Sequence, residues 1–327
     1  MAIDKAVGGG SPRKAKRHIF ATRLNSFRRG GRTVEEAIRL AATTPGLDGL
    51  ELNYPQHFGE LPDERLGAIL QETGLQLTGL NLRFEGPRFA NGAFTAPDRD
   101  HRREAIDLVK SAVDLAVRFG AHHVVLWMAD DGFDYPLQVD YDQLWQDEIE
   151  AFREVADHAP DVRVSVEYKP VDPRRWALVR SMGEAMLAVR DVDRPNFGVA
   201  LDFCHALMAG ENPAAAAALA LREHRLFGVH LNDGYGVADD GLLVASVRPV
   251  QTLELLLALR LGGYEGTIYF DTFPVREDPV AECAANIDAV NRLEAAIDRL
   301  PLDRLADARR RHDAIEIAAL LREVEVG

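Results

Sequence analysis

Four short apolar segments between Val162 and Phe273 each end in residues able to bind a cation, and this regularity constrains the fold more than any other feature of the chain. They read VRVSVEYKP (162–170), FGVALDFCH (197–205), LFGVHLND (226–233) and GTIYFDTF (266–273). Between 28 and 41 residues separate each of Glu167, Asp202, His230 and Asp271 from the next, room for one helix with its loops. Strand and helix alternating at this spacing mark a parallel α/β chain, and in a (β/α)8 barrel the functional side chains stand at the C-terminal ends of successive strands.

The first half keeps the same rhythm. Strands are expected at 18–24, 46–54, 76–84 and 121–129, with helices following at 34–44, 62–74, 103–120 and 141–159. Thr33 with Glu36 three residues on is a capping-box signature, and Gly74 and Gly120 stand where helices stop. After the fifth strand, helices are expected at 175–192, 212–224, 249–263 and 279–300. The expected fold is therefore α/β, a (β/α)8 TIM barrel over 18–300 with a C-terminal helical extension at 301–327. Residues 302–324 read as one appended helix, suited to subunit contacts in a homo-oligomer, a dimer or tetramer.

Residues 1–17 carry positive charge with no apolar run behind it, so they read as a flexible arm rather than a secretory signal. No apolar run approaches the length of a membrane span. Cys204 and Cys283 show no pairing motif, which fits reduced thiols and a cytoplasmic location. With 52 acidic against 38 basic residues the net charge is −14, which repels a phosphate backbone and argues against nucleic acid as a partner.

Alternation along the fifth strand puts Ser165, Glu167 and Lys169 on one face, expected to be the barrel axis, where a Glu167–Lys169 salt bridge is the plain structural reading. Glu51 and Asn53 share a face in the same way. His205 is expected in the loop beyond the sixth strand, and His230 with Asp233 repeats the arrangement one strand later. Glu167, Asp202, His230 and Asp271 form an oxygen-rich donor set with one imidazole, suited to Mn²⁺ first, with Mg²⁺ or Co²⁺ as alternatives. Trp127, near the end of the fourth strand, can stack on the apolar side of a sugar ring. His122 and His123 open that strand, at the stability end, and are set aside as ligands. The broken, polar stretches 85–100 and 130–141 lie at the mouth and are expected to set specificity.

The motifs VEYKP, LDFCHA, HLNDGYGVADDGLLVASV and IYFDTF, within residues 121–275, resemble the xylose isomerase-like barrel superfamily, most closely its L-rhamnose isomerase branch. The resemblance implies a structural metal on Glu167, Asp202, His230 and Asp271. It implies a second, catalytic metal on His205 and Asp239 with Glu167 bridging; Asp240 and Asp233 compete with Asp239 for that place. Lys169 would lie beside the substrate carbonyl. On this reading Lys169, Glu167, His205 and Asp271 are catalytic, and Trp127, Lys169 and His205 touch substrate. The implied activity is conversion of an unphosphorylated aldose to a ketose by a metal-assisted C1/C2 hydride shift. Ketose 3-epimerases of the superfamily resemble a glutamate pair on strands five and eight; here strand eight carries Asp271 and strand five adds Lys169, which favours the isomerase. An epimerase or sugar-enolising lyase is the alternative. An endonuclease IV-like phosphodiesterase and a non-catalytic metal- or sugar-binding barrel stand behind it.

Overall fold

The computed structural model of the protein describes residues 18–325, so the arm expected at 1–17 lies outside the described residues. Eight parallel strands close into a barrel: β1 (Ile19–Arg23), β2 (Gly49–Tyr54), β3 (Gln76–Leu82), β4 (His123–Leu126), β5 (Arg163–Glu167), β6 (Phe197–Asp202), β7 (Leu226–Leu231) and β8 (Thr267–Phe270). The ring closes where β8 pairs with β1, Phe270 opposite Thr22. Outside it run α1 (Val34–Ala41), α2 (Asp63–Thr73), α3 (Arg99–Phe119), α4 (Tyr141–His158) and α5 (Met182–Val192). They are followed by α6 (Phe203–Met208), α7 (Pro213–Arg222), α8 (Pro249–Leu261) and α9 (Pro279–Arg299). Among the described residues no helix is long and apolar enough to cross a membrane.

The strands are buried on both faces, which is why β6 and β7 read as near-continuous apolar runs. Helix α3 is amphipathic: it turns Ile106, Val109, Val113 and Ala116 onto the barrel, and Gly120 ends it in the left-handed conformation. The Thr33–Glu36 capping box forms in full at the start of α1. Inside the barrel, near its N-terminal end, His123 Nε2 is 2.7 Å from Ser165 Oγ. Gly228 makes room for that imidazole, since a Cβ there would lie 2.8 Å from His123 Cε1. Burial pushes the His123 pKa down to about 3, so the ring is a neutral packing element. His122 is exposed.

Two expected helices are corrected. The segment 175–192 is not one helix: Trp176–Ala177 pairs antiparallel with Gly132–Phe133, and α5 begins only at Met182, with the Ser181 side chain accepting from Glu184 N. The Ser181-x-x-Glu184 spacing is itself an N-cap signal, and the residues before it serve the barrel mouth. The tail is not one helix either. It splits into α10 (Leu302–Arg311) and α11 (Ala314–Glu323), because His312 takes a left-handed φ of 54° and Asp313 starts a new cap by accepting from Glu316 N. Leu305 and Leu320 join the same apolar core as the barrel helices.

Candidate metal centre and cavity

The C-terminal ends of β5 to β8 converge at one point. Glu167 and Asp202 are the last residues of β5 and β6, His230 is the penultimate residue of β7, and Asp271 follows β8. One donor atom from each of the four lies within 4.8 Å of the others, and Asp202, His205 and Asp239 form a second such group. Asp202 belongs to both.

The hydrogen bonds show how the cluster is held. Asp202 Oδ2 accepts from Asn232 Nδ2 at 2.9 Å, and the same amide reaches the Asp271 carbonyl at 3.2 Å. Asp202 Oδ1 accepts the His205 N–H at 2.9 Å and so caps α6. His205 is therefore not in a loop, as expected, but in the first turn of a six-residue helix that begins directly at the strand end, and the cap fixes where its ring can go. His230 Nδ1 lies 2.9 Å from Glu167 Oε1, and His205 Nε2 lies 3.2 Å from Asp239 Oδ2.

Four buried atoms in this cluster lack a hydrogen-bond partner: His205 Nδ1, His230 Nε2, Asp239 Oδ1 and Asp271 Oδ1. Arg23 Nη1 is 3.0 Å from Asp271 Oδ1, close enough for an ion pair but without hydrogen-bond geometry. Burial is the largest influence on Asp202, His230, His205 and Glu167. It raises Asp202, to about 7, with Asp239, Glu167 and Asp271 adding to the rise. It also works against the charged imidazoles, but carboxylates outweigh it: Glu167 beside His230 lifts that ring to about 10, and Asp202 and Asp239 lift His205 to about 9. Glu167 in turn is held well below the usual range by His230 despite its burial. A buried space with more carboxylate charge than its imidazoles answer, and with lone pairs left over, fits a divalent cation.

Lys169 is 6% exposed, with Nζ 3.2 Å from both Asp239 Oδ2 and Asp172 Oδ2. Burial disfavours its charge, yet these two carboxylates raise its pKa, so it remains an ammonium. The Glu167–Lys169 bridge considered from the sequence does not form; Glu167 turns to His230 and Lys169 to Asp239. Of the three aspartates competing in the loop after β7, Asp239 alone faces the cluster. Asp233 accepts the N–H groups of Gly234, Val247 and Arg248, and Asp240 that of Tyr235, so both organise the loop.

Above the cluster opens a cavity of about 310 Å³ lined by Glu167, Lys169, His205, Asp239 and Asp271, with Trp127 on its wall. The Trp127 ring already carries two cations, Arg83 and Lys169, each 5.0 Å from its centroid. The opposite wall was not legible in the sequence: it consists of Arg23, Asn25, Asn53, Gln56 and Arg83, from β1 to β3 and the loops after them. Only the shared face of Glu51 and Asn53 pointed to it. Glu51 is buried beneath that wall, accepting from Asn81 at 3.0 Å, and burial raises its pKa.

The loops at the mouth are tied to one another. Asp131 accepts the N–H groups of Ala93, Phe94 and Thr95 and the Thr95 hydroxyl, which pins the 85–100 segment. Arg174 joins Ala90 O, Asp130 and Asp134.

A family model described as "Xylose isomerase-like TIM barrel" matches residues 38–293. A xylose isomerase from Thermus thermophilus is 31% identical over 221 residues, 65% of this chain and 57% of the relative, so the match spans little more than half of that protein. Among solved structures, a xylose isomerase domain protein from Alicyclobacillus acidocaldarius superposes with a TM-score of 0.65 at 19% identity, covering 85% of this chain and 98% of the other. A D-allulose 3-epimerase from Methylomonas sp. gives 0.68 at 18%, covering 85% and 99%. At these identities the two structures speak for the fold.

Proposed function

Since the chain belongs to the xylose isomerase-like TIM barrel family, we propose that it is a divalent-metal-dependent isomerase that interconverts an aldose and a ketose. The observation that carries this reading is the pair of donor groups sharing Asp202, with the Lys169 ammonium at the edge of the same cavity. Glu167, Asp202, His230 and Asp271 would hold one ion and His205 with Asp239 a second, Mn²⁺ being the expected species. A divalent cation held there supplies Lewis acidity toward neighbouring sugar oxygens. Lys169, fixed by Asp239, donates to the oxygen that gains negative charge as hydrogen moves between C1 and C2. Asn232 keeps Asp202 aimed, and Trp127 with the mouth loops covers the sugar and keeps water away. A cytoplasmic homo-oligomer and kinship with the L-rhamnose isomerase branch belong to the same proposal.

A ketose 3-epimerase is the second reading, because Glu167 and Asp271, on strands five and eight, meet in one cluster as a proton-transferring pair would. Incubating the Mn²⁺-loaded protein with a panel of aldoses and ketoses in D₂O separates the two. Aldose–ketose conversion without solvent deuterium supports the isomerase; deuterium entering at C3 supports the epimerase. No conversion with metal demonstrably bound rejects both.

A further inference from the structure

We propose that the substrate carries an anionic group, a carboxylate or phosphate, at the end remote from Lys169, and that Arg83 receives it. This rests on the sugar-isomerase reading, narrows it to charged sugars, and in its phosphate arm departs from the unphosphorylated substrate expected from the sequence.

Arg83 directly follows β3, and its N–H donates to the Tyr54 carbonyl at 2.9 Å, so the base of the side chain is fixed. It is half-buried and lines the cavity together with Glu167 and Lys169. In a chain of net charge −14 Arg23, the other arginine lining the cavity, has Asp271, and Arg28 and Arg174 nearby have Glu60 and Asp130 with Asp134. Among the described residues Arg83 makes no ion pair; its guanidinium rests against the Trp127 ring at 5.0 Å. Lys169 Nζ sits at the same distance from that centroid, so twice it is the upper limit on the separation of the two cations, a span within which one six-carbon sugar can touch both. A sugar whose carbonyl end lies at Lys169 brings its other end to Arg83.

The surroundings agree. His57 is buried behind this wall, and after burial itself the guanidinium charges of Arg28, Arg83 and Arg23 push its pKa down to about 3 against the opposing Glu60, while Glu85, two residues from Arg83, is the carboxylate on the same wall. Asn25, Asn53 and Gln56 are hydrogen-bonded to one another on the same wall and can orient hydroxyls. A ligand that closes over Arg83 takes water from it. A neutral hydroxyl leaves that charge unanswered, whereas a carboxylate or phosphate matches its fork of donors.

The test compares glucose, glucuronate and glucose 6-phosphate, which share one ring and differ at C6, by calorimetric titration of the Mn²⁺-loaded full chain. Binding is read directly, so the outcome does not depend on turnover. At least one anion should bind roughly tenfold or more tightly than glucose, as a charge-assisted contact allows. In Arg83→Gln the ratio of anion to glucose affinity should fall to about one, and Arg83→Lys should restore part of it. Whichever anion shows the advantage identifies carboxylate or phosphate. Equal affinities in the wild type, no binding of either anion, or an advantage that persists in Arg83→Gln because the anion sits on the metal, would each overturn the proposal. Failure of the isomerase assay with this discrimination intact would remove the reaction and leave the recognition.

Discussion

Glu167 Oε1 and His230 Nδ1 face each other at 2.9 Å across the end of β6, and neither residue is more than 5% exposed. The pair sets the acid–base behaviour of the metal-free protein. The folded-state pKa of His230 is raised to about 10, so its contribution is full below the unfolded value and is lost as pH rises through 10. That of Glu167 is depressed, so its contribution is present above the unfolded value and is lost as pH falls through the folded one. Asp202, raised to about 7, costs stability as pH rises from its unfolded value through 7, so the melting temperature of metal-free protein should peak near the unfolded carboxylate values, roughly pH 4 to 4.5, and decline toward pH 10, each group removing at most about 1.4 kcal/mol per pH step of one between its unfolded and folded values. His205, raised to about 9, adds to the alkaline decline. His230→Gln should flatten this slope in a calorimetric series, and saturating Mn²⁺ should do the same in the wild type, because a bound imidazole is neutral.

Asp202 belongs to both donor groups and Asp239 to one. Asp202→Asn should lower affinity for both ions by more than the roughly 10- to 100-fold that loss of an outer hydrogen bond costs. Asp239→Asn should weaken the second ion only. Metal analysis of dialysed protein distinguishes the two, and equal metal loss in both variants would contradict the shared-ligand arrangement.

Lys169→Met should reduce kcat by roughly 10²- to 10³-fold, the usual loss when a donor to developing negative charge is removed. The metal content of the four-ligand group should not change. A variant that loses metal as well would show that the ammonium is structural.

Asp131→Ala removes the acceptor for three backbone N–H groups at residues 93–95. Buried donors left without partners cost about 1–3 kcal/mol. The expected result is a lower melting temperature, faster proteolytic nicking within 85–100 and a raised KM with metal affinity retained.

The sequence displayed the half of the barrel that carries the carboxylate and imidazole cluster because its signals are local. A strand buried on both faces is an apolar run, and a Glu, Asp or His at its end is conspicuous against it, as in VALDFCH. The facing wall of the cavity was obscure for the opposite reason: Arg23, Asn53 and Arg83 are residue types that ordinarily read as solvated surface, and only ring closure turns them inward. His205 was misplaced because α6 begins at the strand end with no intervening loop, its cap supplied by a residue already counted as a ligand. Trp176–Ala177 joined the mouth through a partner more than forty residues away, which no periodicity within 175–192 can reveal. In the tail the one left-handed residue, His312, decided between one helix and two.

Closure of the ring between β8 and β1 sets Thr22 opposite Phe270 and hence Arg23 beside Asp271. The donors for the cation come from the last four strands and the polar wall facing them from the first three, and the two sets meet at that seam. Under the proposed function the architecture thereby separates inheritance of the reaction from inheritance of the clientele. Mutation can redraw the first half of the chain, and with it the choice of molecule admitted, while the ligands in the second half stay as they are. Arg23, which touches both sets, is the position where such drift has the least freedom.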